Sequence, residues 1–97
     1  MIEGKTKSGF KYMLEESTLE DWDVFEAIAD MSSNDAAKVI KGTKNFVDLV
    51  LRDDKNRLVE HIRKKNDGKC TIQMMSKEIN DIVIGAKEIK NSSSSQG

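Results

Sequence analysis

Residues 15–31, with the sequence EESTLEDWDVFEAIADM, decide how this chain begins to fold. Ser17, followed three residues later by Glu20, is typical of a capping box, in which both side chains bond backbone N–H groups at a helix start. The pattern therefore predicts a helix that starts at this box. The apolar residues of the helix recur at helical spacing: Leu19, Trp22, Phe25, Ile28 and Ala29. We expect this stripe to face the core, whereas a largely exposed Trp22 would instead indicate a binding face.

The residues before this helix predict a flexible lead and one short strand. Residues 1–8 are polar and have no hydrophobic period, so we expect them to be disordered. Phe10, Tyr12 and Leu14 then alternate with other residues in the period of two that is typical of a half-buried strand.

Two helices are predicted after the polar residues 32–34. Ser33 is a good capping residue, and the apolar residues that follow it keep helical spacing to Leu51, except across Gly42 and Thr43. We expect a kink or a split at that pair. Asp53 is placed to cap the next helix, whose expected inward residues are Leu58, Val59 and Ile62.

A last helix is predicted after a turn at residues 66–68, which are Asn-Asp-Gly. Ser76 is its expected cap, and its expected buried side consists of Ile79, Ile82, Val83, Ala86 and Ile89. The Ser-rich residues 91–97 predict a flexible tail. We therefore expect one domain over residues 9–90 that is mainly α, a small bundle of about four helices with a short N-terminal β segment.

Composition excludes several classes of protein. A chain of 97 residues with 5% aromatic residues fits one small domain of modest stability. The net charge of -1 argues against attraction of the whole chain to nucleic acid or to a membrane surface. Cys70 is the only cysteine, and no basic-then-apolar segment resembles a signal peptide. We expect no membrane partner and a cytoplasmic location.

No residue pattern predicts catalysis, a cofactor or a metal. Gly4, Lys5 and Thr6 match the end of a phosphate-binding loop, but the upstream glycine and strand of that motif are missing. His61 has no second histidine near it, so a metal site would lack ligands. Cys70 has no neighbouring base and orienting group that would activate it as a nucleophile. We predict that the protein is not an enzyme.

Two segments of opposite charge are the predicted partner contacts. Residues 15–31 contain acids but no Lys or Arg, whereas residues 52–69 contain seven Lys and Arg residues against four Asp and Glu residues. A solvated helix face explains the acids simply, and a docking face for a basic helix or a neighbouring subunit is the functional interpretation. The predicted contact residues are Glu20, Asp23, Glu26, Asp30, Arg63, Lys64 and Lys65. Pairing of the two surfaces between copies would produce a homo-oligomer, as a ring or a filament.

A DNA-binding helix-turn-helix is an alternative interpretation of residues 57–86. Basic residues of the first helix would contact phosphates, and the second helix would enter the major groove. That second helix offers Lys77, but Glu78 and Asp81 would face a polyanion. Nucleic acid is therefore the less favoured partner.

The order of these elements resembles that of small tail assembly chaperones of siphophages and prophages from Gram-positive bacteria. The resemblance covers residues 10–91 and rests on pattern, because the family has no catalytic motif to match. It is carried by the short strand, the acidic helix with DWDVFEAIA at 21–29, the break SSND at 32–35, the helical residues 39–51, LVEHIR at 58–63, DGK at 67–69 and SKEI at 76–79. The chain departs from the family in its basic third helix and in the sequence CTIQMM at 70–75, where apolar and acidic residues are commoner.

This resemblance implies a non-catalytic protein that binds the long, helical tape measure protein, shields its apolar surface and recruits tail tube protein subunits. Such chaperones act in the cytoplasm of the infected host. In the family a longer form often arises by translational frameshifting, for which residues 92–97 would be the place to look. A structural or tail-completion protein of the phage particle is a further alternative.

Overall fold

The N-terminal residues form an antiparallel hairpin. We describe it from a computed structural model, which covers the backbone of residues 1–94 and the side chains of residues 1–87. Strand β1 (Ile2–Lys5) pairs with β2 (Lys11–Leu14), with Gly4 opposite Tyr12. The predicted strand is confirmed, and Phe10, Tyr12 and Leu14 are buried. The prediction of a disordered lead was wrong for β1. Ile2 is the single buried side chain of this strand, and one apolar residue cannot produce a hydrophobic period in the sequence.

Tyr12 anchors the hairpin to α5 (Ile72–Ser94). Its ring lies in a slot between two glycines, because a Cβ atom added to Gly4 in β1 or to Gly85 in α5 would collide with the Tyr12 side chain. Only 3% of Tyr12 is exposed. Each glycine thus supplies space that the aromatic ring fills.

The helix predicted around the capping box is divided in two. A single turn, α1 (Glu16–Leu19), precedes α2 (Trp22–Met31). Asp21 caps α2, and its Oδ1 accepts a hydrogen bond of 2.9 Å from the backbone N–H of Asp23. The predicted cap at Ser17 was wrong, since Ser17 lies inside α1. Asp is as favourable a cap as Ser, and Asp21 stands directly before the longer helix.

Helix α3 (Ala36–Phe46) packs closely against α2 through Gly42. A Cβ atom at Gly42 would lie 2.6 Å from the carbonyl oxygen of Ala27 and 2.8 Å from the backbone nitrogen of Met31. The two backbones therefore touch at this point. The expected kink at Gly42 and Thr43 was wrong, because both residues are buried within one continuous helix.

The N-cap of α3 also differs from the prediction. Asp35 caps the helix, and its Oδ1 accepts from the N–H of Ala37 at 3.0 Å. Ser33 instead accepts from the N–H of Asp35 and so stabilises the preceding turn.

The helical path changes after Phe46. A π-helical segment, Val47–Leu51, ends at Arg52, whose φ of 50° reverses the chain. Helix α4 (Asp54–Lys65) follows and buries Leu58 and Ile62 as predicted, with Val59 half-buried. The predicted cap was wrong, because the Asp53 side chain accepts no capping hydrogen bond.

The turn predicted at residues 66–68 is confirmed. Asp67 and Gly68 have φ values of 55° and 84°, and the Gly68 N–H donates to the carbonyl of Arg63 at 2.7 Å. A left-handed residue after the last helical turn satisfies carbonyl groups that have no partner within the helix.

Helix α5 begins earlier than predicted. It starts at Ile72, and the hydroxyl of Thr71, rather than Ser76, accepts from a first-turn backbone N–H, that of Met74, at 3.2 Å. Its helical backbone extends to Ser94, so the prediction of a flexible tail was wrong for residues 91–94. Residues 95–97 lie outside the described part of the chain. The predicted buried residues Ile79, Ile82, Val83 and Ala86 are confirmed, whereas the side chain of Ile89 lies outside the described residues.

The fold is mainly helical with a short N-terminal β hairpin, as predicted. Four of its five described helices are longer than one turn. Its largest fully buried side chains join α2, α3, α4 and α5, and they are Phe46, Leu58, Ile79, Ile82 and Val24. Within residues 1–94, no helix is long and apolar enough to span a bilayer.

Candidate protein-binding surface

The aromatic side chains of α2 face solvent. Trp22 is 68% exposed and Phe25 is 59% exposed. Their rings stack on each other, with centroids 5.4 Å apart and an interplanar angle of 26°. The expected core position of these two residues was therefore wrong, and we call the pair the aromatic knob. Ile28, the third expected core residue, is partly buried against the core.

The contact with α3 explains why the knob faces outward. Helix α2 has a second apolar stripe at helical spacing, formed by smaller or more flexible residues: Val24, Ala27, Ile28 and Met31. Ala27 lies where the backbones of α2 and α3 meet at Gly42. No aromatic ring fits into so short a gap, because protein interiors are close-packed. Val24 and Ala27 are therefore buried, Ile28 and Met31 pack partly buried against the core, and Trp22 and Phe25 are left in solvent.

Acidic side chains border the knob. Asp21, Asp23 and Glu26 are exposed, and the sequence from 15 to 31 contains no Lys or Arg to neutralise them. Tryptophan is enriched among the residues that dominate binding energy at protein interfaces. A stacked Trp–Phe pair on a negative surface therefore has the chemistry of an anchor for a partner that is apolar and basic.

The predicted acidic contact residues lie close to one another. Asp23, Glu26 and Asp30 line a shallow cleft between α2 and α3, together with Lys41 of α3. Glu20 is exposed and lies just before α2. Their role as contact residues stays a prediction.

The predicted basic contact residues lie on another element. Arg63, Lys64 and Lys65 are exposed in the last turn of α4. The Arg63 Nη1 lies 3.8 Å from Oε1 of Glu60, so part of its charge is balanced within the helix. None of the three lines the acidic cleft between α2 and α3. The structure does not bring the two predicted sets together within one copy.

A second apolar surface lies between α3, the π-helical segment and the start of α5. Ile40 and Ile72, which are 46% and 55% exposed, line a groove of about 220 Å³ with Val47 and Met75. We call it the isoleucine groove.

The rim of the isoleucine groove is charged. It carries Lys44, Lys55 and Asp48. The Nζ atoms of Lys44 and Lys55 lie 3.2 Å and 3.9 Å from the carboxylate of Asp48. Two cations share one anion, so the rim keeps a positive excess.

Sequence reasoning did not find this groove. Ile72 precedes the helix that the sequence predicts from Ser76, and Ile40 belongs to the apolar series predicted for the helix after Ser33, so the spacing gives no reason to place the two side by side. The spacing of Ile72, Met75 and Ile79 could have shown that α5 starts before Ser76.

A buried polar cluster ties the hairpin turn to α4 and α5. Glu78 is only 7% exposed, and its Oε1 accepts hydrogen bonds from the hydroxyls of Thr6 at 2.9 Å and Ser8 at 2.7 Å. His61 Nε2 lies 2.9 Å from the Ser8 oxygen. Since Ser8 directs its proton to Glu78, the imidazole N–H is the donor in that contact. His61 is thus not arranged to remove the Ser8 proton, and the cluster serves to fix the turn.

Among the described residues, no group of three or more metal-ligating side chains is close enough to hold an ion. Comparison with protein-family models, with curated proteins and with solved structures gave no match for this chain.

Proposed function

We propose that this protein is a non-catalytic chaperone that binds an amphipathic helical partner through the aromatic knob and the acids around it. The observation that carries the proposal is the exposed Trp22–Phe25 stack beside exposed acids, in a stretch of sequence, residues 15–31, that contains no Lys or Arg. Exposed tryptophan is uncommon on a surface that only meets water, and its burial by a partner is strongly favourable.

The size of the knob sets the scale of binding. Aromatic side chains bury roughly 150–250 Å² each, and at about 25 cal/mol per Å² the exposed part of the pair represents roughly 5–8 kcal/mol. Association itself costs about as much or more, so the knob alone supports weak binding. Weak contacts become effective when they are repeated along one long partner, because each bound copy raises the local concentration of the next contact.

The resemblance to tail assembly chaperones names the partner. In this proposal the bound helix belongs to the tape measure protein of a phage or prophage, and the tail tube protein is recruited to the complex. The site of action is the cytoplasm of the infected host. The apolar face of the partner helix would cover Trp22 and Phe25, and its basic residues would pair with Asp23, Glu26 and Asp30.

DNA binding by α4 and α5 has weaker support. The outward stripe of α5 contains Lys77, Ile84 and Lys87. An exposed isoleucine between two lysines suits a protein surface better than a phosphate backbone. A mobility shift with duplex DNA that weakens as salt rises would favour the alternative.

The proposed binding is testable by fluorescence, because Trp22 is the only tryptophan. Addition of a helical segment of the tape measure protein should shift Trp22 emission to the blue as the indole leaves water. The affinity of Phe25→Ala should fall by at least tenfold. The matched control Met13→Ala removes another exposed apolar side chain, on β2, and should bind normally. Unchanged emission on addition of the segment, or equal affinity of Phe25→Ala and the wild type, would contradict the proposal.

A structural role in the particle predicts a different result. Mass spectrometry of purified phage should lack this protein if it acts only during assembly. Its presence in stoichiometric amounts would favour the tail-completion alternative.

A further inference from the structure

We infer that the aromatic knob of one copy docks in the isoleucine groove of another copy, so that copies associate head to tail. The inference rests on the proposed function in one respect, that the knob is a binding surface. It adds a second copy of this chain as a binding partner of the knob, and it assigns to the isoleucine groove the role of receiving that knob.

Shape and polarity match between the two surfaces. The knob presents two stacked rings that are mostly exposed, and the groove is a concave site of about 220 Å³ between Ile40 and Ile72. A ring inserted into the groove would cover both isoleucines. Two grooves placed face to face would instead leave an empty space, and voids lose the van der Waals contacts that favour association. A symmetric groove-to-groove dimer is therefore the poorer arrangement.

Charge matches as well. Asp21, Asp23 and Glu26 border the knob, and Lys44 and Lys55 border the groove. Asp48 on the groove rim already pairs with both lysines, but one carboxylate leaves one positive charge in excess. Docking would bring acids of one copy to lysines of the next, which favours the encounter and fixes the orientation.

The topology requires the contact to form between copies. None of the described residues that line the groove comes from α2, so the knob of a copy is not seated in its own groove. Each copy therefore offers one knob and one groove on different elements. A contact between two different surfaces is heterologous and produces rings or filaments rather than a closed two-fold dimer.

The association should be weak and sensitive to salt. Two aromatic rings and a small groove bury far less than the roughly 1,200 Å² of a standard stable interface. Exposed charge pairs are screened within about 10 Å at 0.1 M salt. A partner helix that covers the knob would also compete with self-association, so partner binding should release monomers from the assembly.

Sedimentation of the full chain, with two complementary variants, tests this inference. The wild type should form species above the monomer mass of 10.9 kDa as its concentration rises at low salt. Trp22→Ala/Phe25→Ala, which lacks the knob, and Ile40→Lys/Ile72→Lys, which lacks the groove, should each stay monomeric. All four positions are exposed, so circular dichroism should show wild-type helix content in both variants.

A mixture of the two variants gives the decisive readout. The intact knob of the groove variant fits the intact groove of the knob variant, so the mixture should form 1:1 dimers and no larger species. Met13→Lys, which adds one positive charge at an exposed position of β2, should assemble as the wild type does. The inference is overturned if the wild type stays monomeric at millimolar concentration, if either double variant assembles normally, or if the mixture forms no dimer.

The tape measure segment separates this inference from the proposed function. The groove variant should keep the blue shift of Trp22 emission and bind the segment at least as tightly as the wild type, because no second copy competes. If the groove variant binds the segment but the mixture does not dimerise, the proposed function stands and the second-copy contact is rejected. If the mixture dimerises but the segment causes no shift, the contact between copies stands and the proposed function is rejected.

Discussion

Tyr12 and Trp22 are both large aromatic residues, yet their surroundings differ completely. Tyr12 is 3% exposed and Trp22 is 68% exposed. Glycine accounts for both outcomes. At the hairpin, Gly4 and Gly85 leave a slot that the Tyr12 ring fills, whereas at α3 the space beside Gly42 is filled by the backbone of α2. A glycine thus predicts that another part of the chain packs closely against it. The tertiary structure decides whether that part is a side chain or a backbone.

The largest expected effect comes from emptying the hairpin slot. Tyr12→Ala should lower the free energy of unfolding by about 3–5 kcal/mol, because it removes a buried ring and leaves a cavity between two glycines that cannot fill it. Urea denaturation measures the loss. Lys11→Ala, at the exposed neighbouring position of β2, should change stability by less than about 0.5 kcal/mol. Equal effects of the two variants would show that the ring is not part of the core.

The next effect tests the contact between α2 and α3. Gly42→Ala should lower the free energy of unfolding by about 1–3 kcal/mol, since the new methyl group would meet the backbone of α2 at Ala27 and Met31. This loss is expected even though alanine favours helix by about 1 kcal/mol over glycine. Lys38→Ala, at an exposed position one turn earlier, is the control. A Gly42→Ala variant that is more stable than the wild type would mean that the helices are farther apart than described.

A third prediction concerns the anchor of the hairpin turn. Glu78→Ala removes the acceptor of both Thr6 and Ser8 and should cost about 1–3 kcal/mol, because the buried Thr6 hydroxyl and the half-buried Ser8 hydroxyl lose the carboxylate that accepts their protons. Lys77→Ala, at the adjacent exposed position, should be near neutral. Amide hydrogen exchange should accelerate in β1 and β2 of the Glu78→Ala variant while α3 remains protected. Uniform acceleration through the chain would show that the hairpin does not open on its own.

The smallest effect on stability is expected at the knob. Trp22→Ala should change the free energy of unfolding by less than about 1 kcal/mol, although it removes the largest side chain of the protein, because that side chain is mostly in water. Thermal denaturation of Trp22→Ala beside Tyr12→Ala compares an exposed with a buried aromatic directly. A loss at Trp22 as large as that at Tyr12 would place the knob in the core and remove the basis of the proposed function.

The sequence predictions succeeded where a pattern allowed only one helix face to be buried, and failed where it allowed two. In α4, Leu58 and Ile62 are apolar in a segment rich in charge, so only one face could be buried, and the prediction was confirmed. In α2, two apolar stripes overlap, and hydrophobicity favoured the one with Trp22 and Phe25. The buried stripe was the one that contains Ala27, because only a small residue permits contact with Gly42.

The start of α2 was ambiguous for a similar reason. Ser17 and Asp21 both have capping side chains, and an apolar residue follows each within two positions, Leu19 after Ser17 and Trp22 after Asp21. The isoleucine groove was hidden because it is built from residues of α3 and α5 that are distant in sequence.

The sequence by itself determined the helical class, the hairpin strand, the turn at Asp67 and Gly68 and the inward faces of α4 and of the described part of α5. Local spacing and turn chemistry are sufficient for these features, because they depend on residues a few positions apart. The tertiary structure alone decided which stripe of α2 is buried, and therefore that Trp22 and Phe25 are exposed beside acids. That outcome depends on the distance between two helix backbones, which Gly42 makes short and which no pattern within α2 contains.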